Sequence, residues 1–280
     1  MKILISANEL LDNLSQYTII DLRSESAYGA GHIAGAISLP VGNIPLKSGA
    51  QIVTETNWAS YMGSCGVRSE DTLLVYDNGI TSRAVSRFWY VAKYYGHENV
   101  FILNGGFDAA RDIVPVTEDV PEIIPAIYTP KVTQGYILDL NGVMINRDNA
   151  VLLDVRSVEE FSGSDRYGNP RNGHINGAVL AVLGNFVPDE PGQSYANPEK
   201  LAHSMNKLGV QKEDFIIAYC QIGIRAAVGG LALRVAGFDN VLVYEGSVFE
   251  WSRMPELELL LGMDNNRRVI AAASVDDDCG

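Results

Sequence analysis

An internal repeat is the feature that most constrains the fold of this 280-residue chain. Segments of the first half return in the same order in the second: 17–23 (YTIIDLR) as 150–156 (AVLLDVR), 31–36 (GHIAGA) as 173–178 (GHINGA), 71–76 (DTLLVY) as 214–219 (DFIIAY), and 95–100 (YGHENV) as 236–241 (AGFDNV). The separation between matching segments is the size of a domain, whereas solenoid repeats recur every few tens of residues. The chain is therefore predicted to contain a duplicated domain.

Each half has the pattern of an α/β domain. The β-branched runs 18–21, 72–76 and 100–103 have the length and flanks of buried strands. Helical stretches such as 82–95 lie between them, and Gly96 and Gly237 follow helices at positions that favour a left-handed C-cap. This alternation predicts a mainly parallel central sheet flanked by helices in each half.

A proline-rich connector separates the two halves. Residues 115–132 contain Pro115, Pro121, Pro125 and Pro130, which exclude a long helix and indicate an extended linker. We therefore predict an N-terminal domain over 1–114, a C-terminal domain over 133–262 and a flexible tail over 263–280. Cys279 in that tail is interpreted as an incidental thiol.

Composition excludes several classes of protein. A net charge of −13 argues against binding to nucleic acid or to an anionic membrane surface. The three cysteines are odd in number and far apart, which suits a reducing compartment. The N-terminus lacks the apolar core of a signal peptide, and no apolar run is long enough to span a bilayer, so a cytoplasmic location is expected. The sequence contains no CxxC or HxxxH motif, so no metal site is predicted.

Cys220 is the candidate nucleophile. The loop Cys220-Gln221-Ile222-Gly223-Ile224-Arg225 follows an apolar strand and precedes a run of small residues with helical character. Backbone N–H groups at the start of a helix have no helical partner, and they favour a thiolate over a thiol. Arg225 adds a permanent positive charge. A buried structural cysteine is the alternative interpretation.

The repeat allows one half to serve as a control for the other. Asp77 occupies the position of Cys220, so the first half is predicted to perform no covalent chemistry. His32 and His174 recur in both halves and are interpreted as turn histidines bonded to nearby backbone. Arg156 follows the recurring Asp154, and it is a candidate for binding the anionic end of a substrate because its half carries the cysteine.

Taken together, these residues resemble the rhodanese sulfurtransferases in their tandem two-domain form. The resemblance rests on the Asp-x-Arg strand ends, both Gly-His-Ile-x-Gly-Ala segments, the loop from Cys220 to Arg225, and the segment 244–251 (YEGSVFEW). It implies a ping-pong transfer through a persulfide on Cys220, with thiosulfate as donor and cyanide, a small thiol or a protein thiol as acceptor. It implies no metal or organic cofactor.

Departures from the family pattern bear on the substrate. Family members that use thiosulfate often carry a basic residue directly after the cysteine, where this chain has Gln221. Mercaptopyruvate enzymes typically show Cys-Gly-Ser/Thr-Gly-Val-Thr, whereas Arg225 at the end of this loop resembles the bacterial thiosulfate type. The resemblance therefore favours thiosulfate over 3-mercaptopyruvate, with Arg225 and Arg156 supplying the positive field.

Two other functions use the same cysteine position. Cysteine-dependent phosphatases of a related fold have five residues between cysteine and arginine, and this chain has four, a loop that suits a single sulfur atom better than a phosphoryl group. A non-catalytic persulfide carrier would need the same thiolate but no fast turnover of small molecules.

Overall fold

A computed structural model describes residues 2–40, 53–79 and 82–263 and the backbone of 269–270. The chain divides into two compact units. Unit 1 comprises Met1–Lys47, Ile52–Gln134 and Pro188–Ser194, and unit 2 comprises Ser48–Gln51, Gly135–Val187 and Tyr195–Gly280. Cys279 and the predicted tail, apart from Met263 and 269–270, lie outside the described residues.

Unit 1 is built on a parallel sheet. Its elements are β1 (Leu4–Ile5), α1 (Ala7–Asn13), β2 (Thr18–Asp21), α2 (Glu25–Gly29), β3 (His32–Ile33), β4 (Ile37–Ser38), α3 (Glu55–Ser64), β5 (Leu73–Tyr76), α4 (Arg83–Tyr94), β6 (Val100–Leu103), α5 (Gly106–Ala110) and β7 (Val116–Thr117). The sheet has the strand order β1-β6-β5-β2-β4, and β3 pairs antiparallel with β7. After β7, the proline-rich connector has no regular secondary structure up to 135.

Unit 2 repeats this plan. Its elements are β8 (Ile137–Leu138), α6 (Leu140–Asn146), β9 (Val151–Asp154), α7 (Val158–Ser162), β10 (His174–Ile175), β11 (Val179–Ala181), α8 (Pro198–Lys207), β12 (Ile216–Tyr219), α9 (Ile224–Val235), β13 (Val241–Tyr244), α10 (Ser247–Trp251), β14 (Leu259–Leu260) and β15 (Val269–Ile270). The parallel sheet has the order β15-β11-β9-β12-β13-β8, and β10 pairs antiparallel with β14.

The predicted α/β class, with a parallel sheet in each half, is confirmed. The register shows the duplication directly, because Asp21 pairs with Tyr76 in unit 1 and Asp154 pairs with Tyr219 in unit 2. The central strands are buried on both faces, which explains why their sequences are continuous apolar runs. No helix among the described residues has the length and apolar character needed to cross a lipid bilayer.

Glycines end the two long helices as the sequence predicts. Gly96 follows α4 with φ +80°, and Gly237 follows α9 with φ +88°, a backbone region that glycine enters without steric cost. Helix α9 begins at Ile224, within the segment from Cys220 to Arg225 that the sequence analysis treats as a loop. The cysteine loop is therefore shorter than its sequence suggested, and Arg225 already lies in the first helical turn.

A buried ion pair closes the same strand end in each unit. Arg23 donates to both carboxylate oxygens of Asp21 and to the Gly31 carbonyl (2.7 Å). Arg156 does the same with Asp154 and the Gly173 carbonyl (2.9 Å). The Asp154 and Arg156 side chains are 0% and 2% exposed, so each charge depends on the other.

Replacing Asp154 with alanine should strongly destabilise unit 2. The Arg156 guanidinium would remain buried without its counter-charge, and breaking such a pair costs about 3–5 kcal/mol. Urea denaturation of the Asp154→Ala variant measures this loss. Asp148→Ala is the matched control, because Asp148 is 90% exposed beside Arg147 and should change the free energy of unfolding by less than about 0.5 kcal/mol. Equal losses in the two variants would contradict the assignment.

Candidate active site

Cys220 lies between the end of β12 and the start of α9, at the carboxyl edge of the parallel sheet. Functional loops of α/β sheets collect at this edge. The thiol is 1% exposed, and Gly223, with φ +80°, turns the chain into the helix. Ile222 and Ile224 are half-buried in the same loop. The structure thus brings the whole predicted loop together at one strand end.

Ser247 organises the backbone of this loop. Its Oγ accepts from the N–H groups of Cys220 and Gly223, both at 3.1 Å, and donates to the Tyr244 carbonyl at 2.9 Å. Two amides of the loop are therefore bound to a hydroxyl. The N–H groups of Ile224, Arg225 and Ala226, in the first turn of α9, have no acceptor within the helix.

Helix α10 holds the loop from a second side. Its Val248 and Phe249 N–H groups donate to the carbonyls of Cys220 (3.1 Å) and Gln221 (2.9 Å). Ser247, the first residue of α10, has φ +48°, a left-handed conformation that costs a non-glycine residue about 1–2 kcal/mol. Its three hydrogen bonds oppose this cost, and they explain why a serine occupies a position that favours glycine.

Gln221 forms a buried pair of amides with Asn169. Each side-chain N–H donates to the oxygen of the other, both at 2.8 Å. Gln221 occupies the position that is often basic in related loops, and here it has a neutral partner. The Gln221 side chain is consequently fixed against the loop that contains Asn169.

Arg225 forms a bidentate salt bridge with Glu160. Its two terminal nitrogens lie 2.6 and 2.7 Å from the carboxylate oxygens. Burial opposes ionisation of Glu160, but the hydrogen bonds and charge of Arg225, the Ser157 N–H and the charge of Arg156 together outweigh it and lower the pKa of the carboxyl. Burial also opposes the charge on Arg225, whereas Glu160 and the nearby Cys220 raise its pKa. The cation of the loop is therefore held beside the thiol, with an acid that offsets its charge.

Arg156 lies at the same sheet edge but is bound elsewhere. Its guanidinium has the partners that Arg23 has in the unit without a cysteine, namely the preceding aspartate and a glycine carbonyl. Contacts common to both units serve the fold. Arg156 is therefore left out of the substrate-binding residues proposed below.

Unit 1 has the same backbone arrangement around Asp77. The Phe107 N–H donates to the Asp77 carbonyl at 2.8 Å, as the Val248 N–H does to Cys220. Gly106 takes the position of Ser247, and a Cβ on Gly106 would lie 2.5 Å from the Asp77 oxygen. Backbone therefore fills the space that the serine side chain occupies in unit 2. Burial raises the pKa of the Asp77 carboxyl, whose oxygen accepts from the Gly79 N–H at 2.8 Å.

The recurring histidines have the predicted structural role. His32 bonds to the Tyr28 carbonyl (3.0 Å) and stacks on its ring, and His174 bonds to the Phe161 carbonyl (2.9 Å) and stacks on that ring. Both histidines are fully buried beneath the sheet edge. Their twin environments confirm the prediction made from the repeat.

Comparison with known proteins agrees with this geometry. The family model described as the Rhodanese-like domain matches the chain twice, at residues 6–112 and 142–254. The chain belongs to the rhodanese family. The thiosulfate sulfurtransferase of Corynebacterium glutamicum is 30% identical over 86% of this chain and 84% of its own length. The thiosulfate sulfurtransferase of Bos taurus is 29% identical over 71% of this chain and 68% of its own.

Solved structures of the rhodanese fold superpose on the chain. A variant of EanB in complex with ergothioneine covers 93% of this chain and 70% of its own length, with a TM-score of 0.80 and 20% identity. YnjE covers 89% of this chain and 63% of its own length, with a TM-score of 0.75 and 21% identity. At such identities these likenesses concern the fold, and this chain spans about two thirds of those proteins.

Sequence reasoning missed Ser247, Glu160 and Asn169. Comparison of the halves offers a signal for Ser247, because Gly106 occupies the matching position. Glu160 is visible in the sequence as the third residue of a capping box that begins at Ser157, but that pattern does not reveal its second partner, Arg225. Asn169 lies in a segment that shows no pattern.

Replacing Ser247 with alanine should loosen the Cys220 loop. Two buried N–H groups would lose their acceptor, and an unsatisfied buried donor costs about 1–3 kcal/mol. Amide hydrogen exchange in 219–226 should accelerate by about tenfold or more. The control is Ser252→Ala, because Ser252 is also buried but donates only a long hydrogen bond (3.5 Å) to Phe249. Unchanged exchange in Ser247→Ala would show that the hydroxyl does not hold the loop.

Proposed function

We propose that this protein is a thiosulfate sulfurtransferase that carries sulfane sulfur on Cys220. Membership of the rhodanese family and the names of the relatives support a sulfurtransferase. The observation that carries the proposal is the position of Cys220 between the end of β12 and the N-terminus of α9, the helix whose first turn contains Arg225. In unit 1 the same scaffold has Asp77, which cannot accept sulfur in this way.

The first half-reaction loads the cysteine. The Cys220 thiolate attacks the outer sulfur of thiosulfate, a new S–S bond forms, and the bond between the two thiosulfate sulfurs breaks with its electron pair going to sulfite. Thiolate and thiosulfate dianion give a persulfide anion and sulfite dianion, so charge balances. We expect the N–H groups in the first turn of α9, which have no acceptor within the helix, to stabilise the terminal sulfur anion.

The second half-reaction unloads the cysteine. Cyanide or a thiolate attacks the outer sulfur of the persulfide and restores the Cys220 thiolate, with thiocyanate or a new persulfide as product. No net oxidation or reduction is needed beyond the transfer itself. A cysteine that must return to the thiolate in each cycle suits a reducing cytoplasm, and a protein thiol can serve as acceptor as well as a small one.

The charge around the Cys220 loop determines how strongly the thiosulfate dianion binds. Arg225 is paired with Glu160, so the side chains alone contribute little net attraction. The main-chain dipoles at the α9 N-terminus then supply most of the positive potential. A local positive potential of this kind is compatible with a chain whose net charge is −13.

Loading should depend on Cys220. Intact mass after treatment with thiosulfate should increase by the mass of one sulfur atom, and cyanide should remove that increase. Cys220→Ser should show no gain, whereas Cys65→Ser, which alters the half-buried thiol of unit 1, should load normally. A wild-type protein that gains no sulfur, or a Cys220→Ser variant that still does, would refute the proposed carrier.

Substitutions of Arg225 and of Glu160 should change the thiosulfate concentration needed for half-maximal loading in opposite directions. Arg225→Ala leaves a buried carboxylate beside the sulfur, so the concentration of thiosulfate giving half-maximal loading should rise about tenfold or more. Glu160→Gln keeps the cap of α7 and leaves the cation uncompensated, so that concentration should fall several-fold. Stopped-flow or quenched loading assays measure both.

Two controls separate local from general effects. The double variant Arg225→Ala, Glu160→Gln removes both charges and should lie between the single variants. Glu159→Gln makes the same change in net charge at an exposed neighbour and should leave loading unaltered. The charge argument fails if Glu160→Gln and Glu159→Gln behave alike.

A further inference from the structure

Unit 2 has an extra segment between two points that both units share. In each unit an arginine after the central strand donates to a glycine carbonyl just before a short antiparallel strand. Arg23 and Gly31 are 8 positions apart, whereas Arg156 and Gly173 are 17 positions apart. The extra segment, 164–172, therefore occurs in the unit that contains Cys220 and not at the matching place in unit 1.

The middle of this segment is a turn with a strained residue. The Asn169 N–H donates to the Arg166 carbonyl at 3.0 Å, and the two residues between them, Tyr167 and Gly168, have φ of +48° and +75°. Asparagine, aspartate and glycine normally occupy such a pair of positions, because larger side chains are sterically disfavoured there. Tyr167 is also 59% exposed, so burial of its ring offsets little of the strain. Neither backbone preference nor burial explains a tyrosine at this position.

The Tyr167 ring contacts the cation of the cysteine loop. The Arg225 guanidinium carbon lies over this ring, 5.5 Å from its centroid. Glu160 binds the edge of the same guanidinium through two hydrogen bonds, at 2.6 and 2.7 Å. Arg225 is in the first turn of α9, where the helix dipole disfavours a positive charge. A carboxylate at the edge and an aromatic face together hold the cation in this unfavourable place.

The segment that carries Tyr167 is anchored on both of its sides. Asn169 pairs with Gln221, the residue after the cysteine, at 2.8 Å in both directions. Arg171 donates to four carbonyls between 251 and 257. The ring is therefore presented to Arg225 from a fixed backbone, so the contact exists before any substrate binds.

We propose that Tyr167 is a positioning residue of the Cys220 site, and that its ring holds the Arg225 guanidinium in the orientation that attracts the thiosulfate dianion. This proposal rests on the proposed function, since it concerns binding of the sulfur donor. Tyr167 acts through Arg225 and takes no part in the transfer of sulfur. The donor carries the same charge before and after it is attacked, so a contact with that charge changes donor binding more than the maximal rate of loading.

The test measures loading of the full-length protein over a range of thiosulfate concentrations. Tyr167→Ala should raise the concentration that gives half-maximal loading about fivefold and leave the maximal rate unchanged. Tyr167→Phe keeps the aromatic face and should load as the wild type does, whereas Tyr167→Leu should resemble Tyr167→Ala. In a protein that already carries Arg225→Ala, adding Tyr167→Ala should cause no further loss. Independent, additive losses would refute a role exerted through Arg225.

Stability separates this role from a merely structural one. Tyr167→Gly relieves the positive φ that alanine would retain, so it should unfold at a higher urea concentration than Tyr167→Ala. Both variants lack the ring, and both should show the same rise in the half-loading concentration. If that rise instead follows the order of stability, Tyr167 serves only the turn and the proposal is refuted.

Tyr136→Ala is the matched control. The guanidinium carbon of Arg234, near the other end of α9, lies over the Tyr136 ring at 5.2 Å from its centroid. This substitution removes the same kind of contact from the same helix, but far along the chain from Cys220. Loading by Tyr136→Ala should match that of the wild type, and an equal rise in both variants would contradict a specific role for Tyr167.

Binding measured without turnover separates this proposal from the proposed function. Calorimetric titration of the Cys220→Ser variant with thiosulfate should show binding that a second substitution, Tyr167→Ala, weakens by the same factor as it changes loading. If the wild type never gains sulfur but this difference in binding persists, the proposed function falls and the positioning role stands. If the wild type loads and Tyr167→Ala changes neither the half-loading concentration nor the binding, the positioning role is refuted.

Discussion

The buried carboxylate–guanidinium pair at the end of the central strand fixes the neighbouring strand ends from which the Cys220 loop starts. In unit 2, Asp154 and Arg156 are buried together, and Arg156 also binds the carbonyl of Gly173, which precedes the short strand β10. Asp154 lies beside Tyr219 in the sheet, and the Tyr219 hydroxyl accepts from the Ile175 N–H at 3.3 Å. Cys220 therefore leaves the sheet from a position with little freedom, because each neighbouring strand end is tied to the next.

The loop above this support is shaped by side chains that come from elsewhere in the unit. Ser247 from α10 holds two loop amides, Glu160 from α7 holds Arg225, and Asn169 holds Gln221. Each partner fixes part of the loop before a substrate binds. Binding therefore costs less conformational entropy. The pairing of Arg225 with Glu160 also leaves little net side-chain charge at the start of α9.

The repeat was sufficient to predict the fold, and the strand and helix patterns predicted that Cys220 lies at a strand end. Apolar strand runs and strand-end motifs are local signals that the sequence shows directly. They predict the matching places in the two sheets of Asp21 and Tyr76 and of Asp154 and Tyr219. The partners of Arg225 and Arg156 could not be inferred with the same security. A charged residue in the sequence shows no counter-ion, and Glu160 is 65 residues from Arg225 along the chain. Which of the two arginines is buried in the fold depends on tertiary packing, and the sequence alone does not show that packing.

The glycines around Asp77 have a consequence for how the two units diverged. Gly79, Gly105 and Gly106 approach one another so closely that a Cβ on Gly79 would lie 1.9 Å from the Gly105 oxygen. Ser194 adds further closure, since its hydroxyl accepts from the Gly105 N–H at 2.9 Å. Gly79 and Gly106 are thus restricted to glycine by close contact with neighbouring backbone. A serine placed at position 106 to copy Ser247 would therefore need the backbone of Asp77 and Gly79 to move first.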